Sequence, residues 1–388
     1  MRTLVALLLG LMAAAIAQED PVRLRERAAS LVALGKYAEA EPLLTGALAA
    51  REQSGFAEDP ALLPFIGDLA ALYRAQGRNA DAEKLYLRSL AIRAKVAGSD
   101  STELIPDLKL LGSLYVTMAR PIDAEKQYLR AVSIRINAKG TDDLDLAKDC
   151  TELATYYISQ KRYAVAEPNL RRAIDILMQK LGPEDLSLVP VLDALATVFI
   201  EQKNFPPAES PLRRAISIQE SANGPMHPNV APHLDRLAML FYLQKRYTEA
   251  EPLYKRSLAI WESVMGPDNP DLATTLDNLA VVYASRDKFE DAEPLYRRSL
   301  ALREKTTIAS LNNLAMVLEG KGQDAAAERQ YRVAVGLADK MPVVAGTDYD
   351  PLVKMFENYA ALLRRLKRET EAKKMDARAK ALAPPDKP

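Results

Sequence analysis

Few side chains in this sequence are able to do chemistry. A single cysteine, Cys150, and two histidines, His227 and His233, are the only soft metal ligands or nucleophile-and-base candidates in 388 residues. A zinc or iron–sulfur site needs several such residues at short spacing, and a nucleophilic triad needs a histidine placed to serve its nucleophile. Neither histidine has a suitably spaced partner. Cys150 stands where Leu192, Leu234 and Leu276 stand at later steps of 42 residues, so it reads as a small buried hydrophobe. No glycine-rich phosphate loop, H-E-x-x-H or G-x-S-x-G stretch occurs. A carboxylate recurs instead: glutamate follows alanine at positions 41, 83, 125, 167, 209, 251, 293 and 328. Eight copies of one glutamate describe a structural part, because a general acid or base is needed once. Glu167, Glu209, Glu251 and Glu293 each precede a base by four residues (Arg171, Arg213, Lys255, Arg297), the spacing of an ion pair on a helix surface. The sequence therefore describes a protein without catalytic residues, metal or cofactor.

The elements that carry this glutamate are helical. Seven of the eight Ala-Glu pairs are separated by steps of 42 residues, and a period of that size marks stacked supersecondary units. Before each pair runs an apolar series at spacing three and four, such as Leu276, Leu279, Ala280 and Tyr283, and after it a second one, such as Phe289, Ala292, Tyr296 and Leu300. Short polar turns such as Ser285 to Lys288 separate the two, so each unit reads as a helical hairpin, nine in all. Prolines 42, 168, 252 and 294 directly follow the glutamate and are expected early in the second helix, where a missing N–H costs least. Low aromatic content, 6%, with abundant alanine and leucine, agrees with an all-α class.

The text L-x-x-L-A-x-x-Y, then Y-x-E-A-E-P-L-Y-x-R-S-L, then G-P-x-x-P resembles the tetratricopeptide repeat, and the 42-residue form is similar to the repeats of the kinesin light chain family. It is carried by Tyr247 to Leu258, Phe289 to Leu300, Gly224-Pro225 and Gly266-Pro267. The resemblance implies an all-α, right-handed superhelical solenoid whose first helices line a concave face that contacts extended peptide or protein segments. On that face it puts an acidic row, Asp193, Asp235 and Asp277, and an apolar row, Ile158, Ile200 and Tyr242. Asn278, Asn312 and Asn313 lie beside them, with amides able to bond a peptide backbone. The implied partner is a protein or peptide, basic or amphipathic; the alternative is a solvated carboxylate row that binds nothing.

Arg2, the uncharged run Thr3 to Ala17 and the ending Ala15-Ile16-Ala17 follow the order of a cleavable export signal, with cleavage after Ala17 and a periplasmic or extracellular destination. The run is too short to span a bilayer, for which roughly 20 residues are needed. The repeat array is expected over 18–383, with a polar last hairpin as cap and a disordered tail at 384–388. Between Arg303 and Ile308 the Gly-Pro loop is missing and the step shortens to 35 residues. Lys plus Arg and Asp plus Glu are both 52, which excludes gripping nucleic acid or acidic membrane through bulk charge. Favoured is an exported, non-catalytic scaffold. A regulatory or accessory subunit of an envelope enzyme, a hydrolase with an unrecognised site, or a cytosolic adaptor should the signal be misread, remain the alternatives.

Overall fold

The computed structural model describes residues 19–55, 58–302, 308–339 and 349–382. The export segment, the joint at 303–307 and the tail at 384–388 lie outside them. The described residues form eighteen α-helices in nine antiparallel hairpins, without strands. Two compact units are present, dividing after Pro183.

The first unit holds four hairpins: α1 (Pro21–Ala33) with α2 (Tyr37–Ser54), α3 (Leu63–Ala75) with α4 (Asn79–Ala97), α5 (Ile105–Thr117) with α6 (Pro121–Lys139), and α7 (Leu144–Ser159) with α8 (Tyr163–Leu181). The second holds five: α9 (Leu188–Glu201) with α10 (Glu209–Asn223), α11 (Ala231–Leu243) with α12 (Tyr247–Met265), α13 (Ala273–Ala284) with α14 (Phe289–Leu302), α15 (Ile308–Gly320) with α16 (Asp324–Ala338), and α17 (Asp350–Arg365) with α18 (Glu369–Leu382). Within each unit the second helix of a hairpin packs on the first helix of the next.

Small residues set how closely paired helices approach. Ala40, Ala82, Ala124, Ala166, Ala208, Ala250, Ala292, Ala327 and Ala372 are fully buried on the second helices, and Ala70, Ala154, Ala196, Ala238, Ala280, Ala315 and Ala360 on the first. In the third hairpin Gly112 takes this place, and a Cβ there would come within 2.9 Å of the Tyr128 ring. Glycine is required by that contact.

The glutamate after the buried alanine does more than pair within its own helix. It also receives a cation from the following hairpin: Glu41 from Arg78 at 2.6 Å, Glu83 from Arg120 at 2.8 Å, Glu125 from Arg162 at 2.5 Å, Glu209 from Arg246 at 2.6 Å and Glu328 from Arg368 at 2.5 Å. Arg286 serves Glu251 and Lys321 serves Glu293 in the same way. Arg78, Arg120, Arg162 and Arg246 lie over the rings of Tyr73, Tyr115, Tyr157 and Phe241, 4.0 to 4.8 Å from the centroids. The guanidinium groups hold Glu41, Glu125 and Glu209 below the usual carboxylate range.

Turns repeat as strictly as helices. The residue before each of these arginines is left-handed, with φ of 74° at Gly77, 54° at Ala119, 56° at Lys161 and 60° at Lys245. At the far end of the hairpins Gly98, Gly140, Gly182, Gly224 and Gly266 have φ of 82–97°. Asp59, Ser101, Asp185, His227 and Asn269 then accept the N–H two residues on, starting the next unit. The prolines lie deeper than the sequence reading places them: Pro42, Pro168, Pro252 and Pro294 are the sixth residues of their helices. One turn in, each deprives a carbonyl of its helical donor instead of replacing a free N–H.

A left-handed lysine carries a steric penalty that glycine avoids, partly offset by the flexibility of glycine in the unfolded chain. Lys245→Gly should therefore raise stability by about 0.5–1 kcal/mol, read as a higher urea midpoint at unchanged slope.

Candidate binding groove

The three aspartates of the acidic row come from the first helices of consecutive hairpins in the second unit, and each meets a different environment. Asp193, on α9, is tied down by α11: Arg236 Nη1 is 3.4 Å from one carboxylate oxygen and His233 Nδ1 is 3.2 Å away. Arg236 also donates to the Asp193 carbonyl oxygen at 2.9 Å and to the Thr197 hydroxyl at 2.5 Å. Its charge is thus already answered within the fold. Asp235, on α11, is half-buried against α12, and its Oδ1 is sealed from solvent without a donor. Desolvation pushes its carboxyl up to about 6, against the pull of hydrogen bonds from Ser257 and Trp261. Asp277, on α13, accepts the Ser310 hydroxyl of α15 at 3.1 Å.

Tyr242 ends α11, half-buried, with its ring 5.7 Å from that of Tyr247. It borders an apolar cavity of about 430 Å³ whose other walls include Val281, Phe289, Tyr296, Asn313 and Met316. Phe289 reaches this position because α15 has Gly320 opposite it; a Cβ at Gly320 would lie 2.5 Å from the ring. Met316 at the rim is 49% exposed. Asn313 therefore shares a wall with Tyr242, whereas Asn312 is buried and accepts from Asn358 Nδ2 at 2.9 Å. Asn278 sits beside Asp277 on α13, half-buried. Ile200 closes α9, half-buried, and Ile158 holds the corresponding place in α7 of the first unit.

A second, more open cavity of about 700 Å³ lies in the first unit among Arg74, Ile105, Lys109, Leu110 and Arg135. Its cations are largely neutralised from behind: Asp149 is 2.8 Å from Arg135 and 3.2 Å from Lys109, and Asp145 and Glu152 add to this. Cys150 is fully buried, with its thiol pushed up to about 11 by desolvation, which keeps it protonated and unreactive. His227 Nδ1 accepts the Asn229 N–H at 3.2 Å, a loop role. Among the described residues no set of three or more histidine, cysteine or acidic side chains could hold a metal ion, and no helix is long and apolar enough to cross a membrane.

Two features escape the sequence reading. His233 stands where the next unit has Thr275, and nothing in its neighbours along the chain points to Asp193, forty residues away. The cavity depends on Gly320 and Phe289, which lie in different hairpins. A glycine ending an apolar first helix is its only sequence signal.

Tetratricopeptide repeat models match residues 61–137, 148–221, 229–305 and 307–338. The chain belongs to the tetratricopeptide repeat family, whose members are in general non-catalytic and serve as protein-interaction scaffolds. No curated protein matches it. Among solved structures, the apo form of RapI is similar at 15% identity, with TM-score 0.59 over 93% of this chain and 97% of that one. Aspartyl phosphate phosphatase F from Bacillus subtilis is similar at 16% identity and TM-score 0.52, over 93% of each. Putative kinesin light chain repeats from Podosopora anserina match at 21% identity, TM-score 0.48, over 54% of this chain and 99% of theirs. The array is one of kinesin light chain type in its 42-residue step.

The raised carboxyl of Asp235 gives a pH signature of definite sign. Between about pH 4 and 6 the folded chain holds a proton there that the unfolded chain has released, so this contribution to stability falls as pH rises through that window. Asp235→Asn should gain on the order of 2 kcal/mol over the parent at pH 7.5 and little at pH 4, measured by urea unfolding at both.

Proposed function

We propose that this protein is a non-catalytic docking scaffold that receives an amphipathic, basic peptide segment along the first helices of its second unit. The observation that supports this reading most directly is the apolar cavity at Tyr242, walled by Phe289, Tyr296 and Met316 and edged by the Asn313 amide. A cavity of that size fits one large apolar side chain, and the amide beside it can bond an extended backbone. The preference for a basic ligand rests on Asp235 and Asp277 alone, because Asp193 already pairs with Arg236. RapI and the phosphatase share the fold at low identity and carry no activity over to this chain.

Peptides selected on the purified protein from a random display library should be amphipathic, with one large apolar residue and flanking lysine or arginine. Tyr242→Ala should weaken the best of them by about 2 kcal/mol, roughly thirtyfold in Kd, with the melting temperature little changed. Met316→Asp, at the exposed rim, should do the same. Selected peptides indifferent to both variants would move the site elsewhere. Asp193→Lys is a poor probe, since it would strand Arg236 and destabilise the stack.

Export completes the proposal, and what supports it is the order of Arg2, the apolar run and Ala15-Ile16-Ala17. Amino-terminal sequencing of protein from the native host should begin at Gln18 in the exported fraction. Chains beginning at Met1 in the soluble cytoplasmic fraction would overturn it.

A further inference from the structure

The formal charge of the whole chain is zero, and that balance conceals an uneven distribution. α4 carries Lys84, Arg88, Arg93 and Lys95 against Asp81 and Glu83, and α6 carries Lys126, Arg130, Arg135 and Lys139 against Asp123 and Glu125. The second helices α10, α12, α14 and α16 have no excess of base. Some of the surplus is consumed inside the fold. Arg93 and Arg135 turn to the buried carboxylates of Asp107 and Asp149, while Arg88 and Lys95 meet Glu52 and Glu58. Lys84 remains 78% exposed, in a 3.5 Å pair with Asp81 of its own helix. Lys126 and Lys139 are exposed and have no carboxylate partner among the described residues.

A second observation concerns the position four residues after the repeated glutamate. Hairpins four to eight place Arg171, Arg213, Lys255, Arg297 and Arg332 there, each folded back on its own glutamate. Hairpins two and three place Leu87 and Leu129 there instead, 44% and 45% exposed. Ile122, at the start of α6, is 83% exposed, and Val96, near the end of α4, 61%. Spacing of three and four puts Lys84, Leu87 and Lys95 on one face of α4, and Ile122, Lys126 and Leu129 on one face of α6.

We propose that this face of hairpins two and three is a peripheral docking surface for an anionic lipid bilayer. Basic residues interleaved with protruding aliphatic ones suit the headgroup layer: the lysines sit over lipid phosphates and the aliphatic tips enter the acyl boundary. Charge complementarity selects an acidic surface. The form of the patch selects a bilayer over an acidic protein, because its apolar groups are knobs on helix faces, and both cavities described above are lined by other residues. The site is separate from the peptide cavity of the second unit and does not depend on it.

The test mixes the full chain with vesicles of phosphatidylcholine alone or with an equal part of phosphatidylglycerol, and measures the bound fraction by co-sedimentation at low and high salt. Segment 3–17 is present in parent and variants alike. Binding to the anionic vesicles should be about tenfold stronger than to the neutral ones and should weaken in high salt. It should fall about tenfold in the triple variant Leu87→Ser, Ile122→Ser, Leu129→Ser, and equally in Lys84→Glu, Lys126→Glu, Lys139→Glu. Circular dichroism melts verify folding, and the single variant Ile122→Ser, at the most exposed position, gives the reading if a triple variant melts early. Equal binding by parent and folded variants would overturn the proposal, as would absence of vesicle binding. Capture of soluble polyglutamate without vesicle binding would also overturn it and reassign the face to an acidic protein.

Discussion

The structure depends on one clasp: a glutamate that follows a fully buried alanine and receives a cation from the next hairpin. The alanine sets its position, because only a methyl group allows the paired helices to approach so closely, and the carboxylate then emerges at the seam between hairpins. The left-handed turn residue aims the arginine back at that seam, and an aromatic ring of the arginine's own hairpin supports it from below. Partly shielded, with a fixed ring beneath, such a pair loses less to solvent screening and side-chain entropy than an isolated surface pair. Arg256 and Arg298 add a second seam contact by donating to the carbonyl oxygens of Pro225 and Pro267, both at 2.6 Å.

Much of this was legible in the sequence because repetition converts weak signals into strong ones. One Ala-Glu is uninformative; seven separated by 42 residues give helix order, turn positions and the buried face. Half of the clasp could be read as well, since Glu251 to Lys255 lies within one helix. The other half could not be assigned by that local rule, although Arg78, Arg120, Arg162 and Arg246 keep the same period and so carried a usable signal. Proline depth was misjudged for a related reason: the glutamate was taken to open the second helix, whereas the helix starts four residues earlier, at Tyr247 or Phe289.

The groove was harder to read because its properties come from departures from the repeat. Equal spacing makes Asp193, Asp235 and Asp277 look equivalent, yet their surroundings differ through single substitutions: His233 and Arg236 opposite the first, Trp261 beside the second, Ser310 beside the third. A periodic argument averages over such neighbours. The cavity at Tyr242 likewise results from an exception, Gly320, which admits the Phe289 ring. Shared positions build the scaffold, and the irregular ones give each hairpin its own chemistry.

The span of the clasp also bears on how such a chain can lengthen. Each cation lies 28 to 40 residues beyond its glutamate, within one repeat, so every hairpin carries one donor for the unit before it and one acceptor for the unit after it. Tandem duplication of a whole 42-residue segment leaves no clasp without a mate at either junction, wherever in the repeat the copy begins. An insertion of any other length shifts donor and acceptor out of phase at one seam. Growth by whole units is therefore the change in chain length that this architecture absorbs without compensating substitutions.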